Sequence, residues 1–526
     1  MGKRMMPQFK RGKSIKKTEN TEENPGFQEG QKKPRKFRVP KFDRYKRIRL
    51  FSYASVILMA AFTLAAIMAV HHFWIYPGRV ERDSISSPGR GSDYIVLSWE
   101  ETHNTEVYKV WVKERDMSPK TDEPVDDGLD ENGKARKSRE VEIDDTWMAL
   151  ETDVPEITVD GLKENTSYSF IVRADNKNKE GIPTGVRNFR TKKPQSIDVI
   201  KTVTKFSFSE PFKLPASAET DVMYESSDTD VAVVDPETKE IQIVGPGDAE
   251  ITVSAKSNLE YEGAKEVVEL KVLDSYPVSA GGAAAHNIYH LDSDNCEVVK
   301  RITGAGGATV PQGLAYTGDK YIISYGMGSP DRVISFDVDG DGKEVSVPTV
   351  ALGHPNGFTY AYENGRCYCA KGWTSKVFTY EPTSDTYGSV NLSYGASGIG
   401  YDRKEKLLYT CSRTIMAAYD ISKNYEVVYT TGVVDHGGYL ATQDCGGHAG
   451  IMLRCLSGSN THGINYIDLY HMPTGRYLGT ISCDLSEVES CIVDNEGFLE
   501  ILANNTSDTD YIWKTNLNID TLGEGL

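Results

Sequence analysis

The chain runs to 526 residues, more than one hydrophobic core serves, so a single-domain protein is excluded and three or four domains are expected. The net charge of −17 is unevenly spread: residues 1–50 hold 17 Lys/Arg against 5 Asp/Glu, or +12, which leaves −29 on the remainder. So steep an asymmetry excludes one uniform surface and points to two compartments.

Residues 1–49 are rich in Lys, Arg, Pro, Gln and Glu and lack aliphatic periodicity, which reads as a disordered, basic, cytoplasmic tail. Its clusters (Lys10-Arg11, Lys16-Lys17, Lys32-Lys33, Arg35-Lys36) suit anionic headgroups, at about 1 kcal/mol per charge near a surface, better than nucleic acid. Residues 50–76 contain no Asp, Glu, Lys or Arg, and Ser55–Val70 is nearly all apolar, long enough to cross a bilayer. Arg44, Lys46, Arg47 and Arg49 precede the stretch, and Trp74 and Tyr76 follow it. Basic residues on one side and an aromatic belt on the other predict a single-pass signal anchor in the cell membrane, N-terminus cytoplasmic. A cleaved signal peptide fits less well, because the basic region is too long and no small-residue cleavage site precedes His71.

Residues 77–91 form a linker, and short alternating runs come after it, the mark of antiparallel sandwich strands. Tyr94–Trp99, Tyr108–Val112, Ile157–Val159 and Tyr168–Ala174 are such runs. With Trp99 as a core tryptophan and Leu162 and Tyr168 at the leucine and tyrosine-corner positions, residues 92–193 resemble a fibronectin type III domain. A charged insert between Glu114 and Asp145 departs from that pattern and reads as a solvated loop. Residues 194–274 carry Tyr224-Glu225-Ser226-Ser227-Asp228, Val231–Asp235 and the glycine-turned Ile241–Val253 stretch. This segment resembles the bacterial Ig-like group 2 module, and the resemblance implies a bacterial surface protein with the module as a spacer or weak adhesive unit.

Residues 275–526 repeat a phrase. Val310-Pro311-Gln312-Gly313-Leu314-Ala315-Tyr316 returns as His354-Pro355-Asn356-Gly357-Phe358-Thr359-Tyr360 and as Ala396-Ser397-Gly398-Ile399-Gly400-Tyr401. Fainter copies lie at Thr442-Gln443-Asp444-Cys445 and Glu489-Ser490-Cys491-Ile492. The copies are about 41 to 46 residues apart, the spacing of propeller blades, and further strand-like runs between them supply four strands per unit. Arg332–Asp337, Lys376–Tyr380, Met416–Asp420, Ile464–Asp468 and Tyr511–Thr515 read as third strands, and Thr349–Leu352 and Val427–Thr430 as fourth strands. An early third-strand run, His286–Leu291, and a fourth, Val298–Ile302, are expected to close the ring on the last unit. The fold class is therefore all-β: two sandwich modules and a five-bladed propeller (six if the early segment stands alone), preceded by one transmembrane helix. The Pro-Gln-Gly-Leu and His-Pro-Asn-Gly phrases are also similar to those of helveticin-like secreted bacterial propellers.

First strands of blades face the central channel, so the aligned phrases predict a polar ring of Gln312, Asn356, Ser397, Gln443 and Glu489, with His354 beside it. Amide, hydroxyl and carboxylate groups at one level suit a hydroxyl-rich ligand, or ordered water. Glycan-active enzymes place carboxylates in such a channel, and here only Glu489, with Glu487 or Asp444, could serve. His354, His436, His448 and His462 read as loop histidines with satisfied hydrogen bonds, since no pair has metal-ligand spacing. Asp337-Val338-Asp339-Gly340-Asp341-Gly342 begins like a calcium loop, but its twelfth position is Pro348, so a hairpin turn is expected and no cofactor. All eight cysteines lie from Cys296 onward, without zinc spacing, and read as small buried hydrophobes. The expected role is binding at the surface of a bacterium of Gram-positive type: adhesion to cell-wall or host glycan (carbohydrate binding) or to a surface protein. The alternative is a surface glycosidase or lyase.

Overall fold

The computed structural model describes residues 44–71, 75–115, 142–305, 307–326, 330–438, 440–458, 465–505 and 509–526. The tail through residue 43, Trp74, most of the charged insert (116–141) and His462 lie outside the described residues. Residues up to Pro77 and the body from Gly78 to Leu526 are two separate compact units.

In the first unit one helix runs Arg44–Val70. Its Phe51–Val70 portion has a mean hydropathy of 2.2 and is long and apolar enough to cross a membrane. The face-independent apolarity of Ser55–Val70 is what a lipid-surrounded helix requires, since no polar side of the helix faces water.

The body is built almost wholly from antiparallel strands. A three-stranded sheet (Ser86–Arg90, Ile95–Ser98, Glu156–Val159) faces a four-stranded one (Val107–Glu114, Met148–Thr152, Ser167–Asp175, Arg187–Arg190). Every second residue of Val107–Glu114 is buried, as a half-exposed sandwich strand demands. Trp99, Tyr108, Leu162 and Tyr168 share one core. The Lys163 N–H donates to Tyr168 Oη at 2.7 Å, tying the corner before the strand to the strand itself.

A second sandwich spans residues 198–273. Its largest sheet pairs Val222–Ser226, Gly247–Ala255, Ala264–Leu273 and Thr202–Phe206, the last in parallel with Ala264–Leu273. This module is welded to the C-terminal sheets rather than holding them at a distance. Phe206 and Leu273 belong to the same hydrophobic core as Leu453, Leu469, Ile481 and Leu517. Thr204 N–H donates to Thr521 Oγ1 at 2.9 Å, and Asn518 N–H donates to Thr204 Oγ1 at 3.1 Å, all buried. Lys205, also buried, donates to the Glu524 carbonyl at 3.0 Å.

Five sheets complete the chain, four of them four-stranded and one, sheet IV, with two further edge strands, Val278–Ser279 and Asn287–Leu291. Sheet I comprises Pro311–Tyr316, Lys320–Tyr325, Arg332–Asp337 and Lys343–Ser346. Sheet II comprises Gly357–Ala361, Arg366–Ala370, Thr374–Glu381 and Thr386–Ala396. Sheet III comprises Gly398–Asp402, Leu407–Cys411, Ile415–Asp420 and Glu426–Gly432. Sheet IV comprises Ala441–His448, Ile451–Ser457, Asn465–His471 and Arg476–Cys483. Sheet V joins Glu487–Val493, Phe498–Asn504 and Asp510–Asn518 to the early strand Cys296–Ile302. The first strand of each sheet touches that of the next, and the first strand of sheet V touches that of sheet I.

Two sequence-based expectations need correction. The fourth strand of sheet I is Lys343–Ser346, and residues 349–352 form the loop after it. Asn287–Leu291 is not a third strand of the closing sheet; it adds in parallel to Arg476–Cys483 at the outer edge of sheet IV. A parallel edge strand there covers a backbone row that would otherwise stand open.

Candidate functional site

The five first strands run in the same sense along the contact cycle, from a near end at Gln312 to a far end at Tyr316. At each step the position after the aligned polar residue lies against the axis: Gly313, Gly357, Gly398, Asp444 and Ser490. The three glycines are where strands crowd most, since a Cβ on Gly313 would lie 2.6 Å from Phe358 N and one on Gly357 2.6 Å from Ile399 N. The room they leave is filled by the other two side chains. Asp444 Oδ1 accepts from Ile399 N–H at 2.8 Å, and Oδ2 accepts from Phe358 N–H at 3.2 Å and from Ser490 Oγ at 2.6 Å. Ser490 Oγ in turn accepts from Leu314 N–H at 3.1 Å. One carboxyl and one hydroxyl thus bind all five sheets together. Burial pushes the Asp444 pKa up to about 8, against the pull of Ser490 and the backbone N–H groups. Asp444 is therefore an axial lock, and the reading of it as a free channel carboxylate is corrected.

The far end is also closed. Three copies of the phrase finish on tyrosine (Tyr316, Tyr360, Tyr401), and these rings converge there with Tyr362 and Arg403. Tyr362 Oη donates to the Tyr316 carbonyl at 2.8 Å. The Arg403 guanidinium lies 5.4 Å from the Tyr362 ring centroid and donates to Asn495 Oδ1 at 2.7 Å, to the Val493 carbonyl at 3.0 Å and to the Asp494 carbonyl. That one side chain ties sheets II, III and V together, and Tyr362 adds sheet I. The space left among them is about 20 Å³, enough for about one water molecule.

At the near end stand the five residues that the aligned phrases predict, all of them buried. Gln312, 3% exposed, donates to the Pro311 carbonyl at 3.0 Å, and its Oε1 has no partner among the described residues. Asn356 reaches across from sheet II to sheet IV, donating to the Thr442 carbonyl at 3.3 Å, and its Oδ1 too has no partner among the described residues. Ser397 and Gln443 are satisfied within their own hairpins, by the Cys411 carbonyl at 3.2 Å and by Ser457 Oγ at 2.7 Å. Glu489, 2% exposed, and the exposed Glu487 both accept from Asn504 Nδ2 at 3.3 Å. Burial first, and the Glu487 charge second, push the Glu489 pKa well above its ordinary value, which favours the protonated carboxyl. Among the described residues the near end therefore offers two buried acceptors without donors and a buried carboxyl whose pKa is raised. His354 is half-buried beside them, and burial lowers its pKa, keeping the ring neutral.

The remaining sequence candidates are placed elsewhere. His436 binds Asp468 at 2.9 Å within a buried group that also holds Arg454 and Thr480, and His448 binds Asp520 at 3.3 Å. The Asp337–Gly342 segment is a hairpin turn whose carbonyls are occupied by a lysine: Lys300 Nζ donates to Asp337 O at 2.5 Å, to Val338 O at 3.3 Å and to Gly340 O. All eight cysteines are free and seven are buried. The axial lock and the Arg403 clamp escape a reading based on aligned polar positions. The repeated tyrosine that closes three phrases, and the switch from glycine to Asp444 and Ser490, were the signals for them.

No family model and no curated protein matches this chain. Similar solved structures include the fibronectin type III domain of human collagen alpha-1(XX) chain (15% identity, 22% of this chain and 85% of that one, TM-score 0.15). They also include a structural genomics protein of unknown function from Bacteroides thetaiotaomicron VPI-5482 (14% identity, 61% and 98%, TM-score 0.28). A third is a luciferin-regenerating enzyme (11% identity, 45% and 95%, TM-score 0.29).

Proposed function

We propose that the protein is a membrane-anchored surface binding protein, its five sheets the blades of a five-bladed propeller that takes a hydroxyl-rich glycan at its near end. In this reading the helix through Val70 is a single-pass anchor with a cytoplasmic N-terminus. The two sandwiches, fibronectin type III-like and bacterial Ig-like, are the rigid mount outside. The observation that carries the reading is the pair of buried acceptors, Gln312 Oε1 and Asn356 Oδ1, that have no partner among the described residues, together with the buried Glu489 carboxyl, whose pKa is raised. Buried polar atoms are rarely left without partners, and sugar hydroxyls supply the donors and acceptors that this end lacks. The axis is locked at Asp444 and the far end clamped by Arg403, so the near end is the side on which a ligand meets open chemistry.

The test is a glycan array probed with the full-length protein in detergent micelles. A hit that Gln312→Ala and Asn356→Ala each weaken supports the reading; an array without hits, or hits that both variants retain, overturns it.

A second reading, glycan cleavage, is favoured by one pairing: burial raises the Glu489 pKa while Glu487, two residues before it, stands exposed, and two carboxyls in opposed environments are what an acid and its partner require. Release of reducing ends, abolished by Glu489→Gln, would establish it.

A further inference from the structure

Two positions recur wherever neighbouring sheets pack. One follows the axial residue on each first strand: Leu314, Phe358, Ile399, Cys445 and Cys491. The other stands on the second strand of the preceding sheet, opposite that sheet's own axial residue. Gly313 pairs with Ser324, Gly357 with Ala370, Gly398 with Cys411 and Ser490 with Leu502. In sheet IV a bulge sets Cys455 opposite the Gln443-Asp444 stretch. Around the contact cycle the pairs are therefore Ser324 with Phe358, Ala370 with Ile399, Cys411 with Cys445, Cys455 with Cys491 and Leu502 with Leu314. Cysteine stands at both positions of an interface or at neither. A thiol kept only as a small apolar filler gives no reason for that matching.

The paired sulfurs also meet. Cys411 Sγ lies 3.8 Å from the carbonyl oxygen of Asp444, the residue before Cys445. Cys445 Sγ lies 3.9 Å from the carbonyl oxygen of Tyr409, on the strand that carries Cys411. Cys491 Sγ repeats this one sheet on, 3.8 Å from the carbonyl oxygen of Leu453, on the strand that carries Cys455. Within each pair the two thiols are in hydrogen-bonding reach of each other. The second strand of sheet III touches the first strand of sheet IV, and that of sheet IV touches the first of sheet V. Sulfurs in contact across touching strands meet the first geometric demand of a disulfide.

We infer that Cys411–Cys445 and Cys455–Cys491 are the two cross-sheet disulfides of the protein folded in oxidising surroundings, stitching sheets III, IV and V beside the axial Asp444. The oxidant is a disulfide donor of the glutathione class. One protein thiolate attacks a donor sulfur, forming a mixed disulfide and releasing one donor thiol; the partner thiolate then attacks the protein sulfur and releases the second. Two protein thiols become one S–S bond, and one donor disulfide becomes two thiols. All four cysteines are at most 1% exposed, and burial pushes the Cys445 and Cys455 thiols well above their ordinary pKa. Such thiols are poor nucleophiles once the sheets have packed, so the bonds close while the sheets assemble. An anchored body that folds outside the membrane, as proposed above, meets such donors there. The inference is independent of what the near end binds.

The experiment synthesises the full-length protein in a cell-free mixture with detergent micelles, once under oxidised and once under reduced glutathione. Free thiols are alkylated in denaturant, and the unreduced digest is mapped by mass spectrometry. The oxidised sample should yield peptides joining Cys411 to Cys445 and Cys455 to Cys491, each two hydrogen atoms lighter than its two thiol peptides. The reduced sample should be alkylated at all four. Each bond closes a loop of more than thirty residues, so the oxidised protein should melt about 5 °C or more above the reduced one. Cys411→Ala combined with Cys455→Ala should melt alike in both buffers. If that variant fails to fold, the wild-type peptide map still decides. Alkylation of all four cysteines in the oxidised wild type overturns the inference, and so does any other connectivity, such as Cys445 joined to Cys491. Neither result touches the Gln312 and Asn356 reading.

Discussion

Asp444 Oδ2 accepts a hydrogen bond from Ser490 Oγ at 2.6 Å on the axis of the five sheets, and between them these two side chains take up backbone N–H groups from sheets I, II and III. Ring closure is thereby not left to the outer strands. The strand Cys296–Ile302 fastens the rim of sheet V, while the Asp444–Ser490 pair fastens the centre.

Removing the lock should therefore cost more than an ordinary buried substitution. Asp444→Ala leaves the Phe358 and Ile399 N–H groups and the Ser490 hydroxyl without their acceptor, and each buried orphan costs about 1–3 kcal/mol. Asp444→Asn turns an NH2 toward groups that are all donors, so it should fall between wild type and alanine. Denaturant unfolding of the full-length protein, followed by tryptophan fluorescence, checks both the loss and the order. A wild-type-like midpoint for the alanine variant would remove the lock from the account.

The same burial sets the pH dependence of stability. Asp444, Glu500 and Asp510 have folded pKa values pushed up to about 8, 7 and 6, each by burial first. Their unfolded values are about 4, so the folded state binds more protons between pH 4 and 8 and stability falls as pH rises through that window. Asp520 has the opposite sign: the His448 hydrogen bond first, with Lys404, holds it down at about 2. Its contribution is present above pH 4 and lost as pH falls toward 2. The body should accordingly be most stable near pH 4 and melt at progressively lower temperature toward pH 8. Thermal melts across pH 3–9 check this, and a melting temperature that climbs from pH 5 to 8 contradicts it.

Arg403 makes a contrasting case, because it clamps the end away from the proposed ligand. Arg403→Ala removes donors to Asn495, Val493 and Asp494 and exposes the Tyr362 ring. Half-burial limits the loss to about 1–3 kcal/mol. Hydrogen exchange should speed up at the far-end ends of the first strands, while glycan binding at the near end stays at wild-type strength. Loss of binding with unchanged exchange would move the site to the far end.

The period, the four-strand unit and the closing early strand are legible in the sequence because each repeats a local pattern of alternation and turn residues. The five aligned polar positions share that register and are all buried, whereas their hydrogen-bond partners in other strands and hairpins are not legible from the alignment. The axial lock is not legible either, because aligning the phrases by their polar residues leaves glycine beside it in three copies, and glycine reads as a turn rather than as space reserved for the Asp444 carboxyl. The weld between the second sandwich and the chain's end is illegible in a different way. Thr204 and Thr521 are 317 residues apart, and neither carries a signal until folding brings both to one buried site.

Glycine at the axis gives the sharpest remaining test, since it asks whether the space is as full as the hydrogen bonds imply. A Cβ on Gly357 would lie 2.5 Å from Asp444 Oδ1, 2.6 Å from Ile399 N and 2.8 Å from Gly398 Cα. The carboxyl could rotate away, but the two backbone atoms belong to the neighbouring first strand and can move only if sheets II and III part. Gly357→Ala should therefore cost at least the usual 1–3 kcal/mol of overpacking and more where the strands cannot yield. Pairing it with Asp444→Ala removes one of the three collisions and should not rescue it; the double variant should be less stable than either single one. Gly281→Ala, at a position where a new Cβ meets nothing within 4 Å, serves as the neutral control. Expression and denaturant midpoints of the four proteins decide the matter, and rescue of Gly357→Ala by Asp444→Ala would mean that the carboxyl alone, and not the strand backbone, fills the axis.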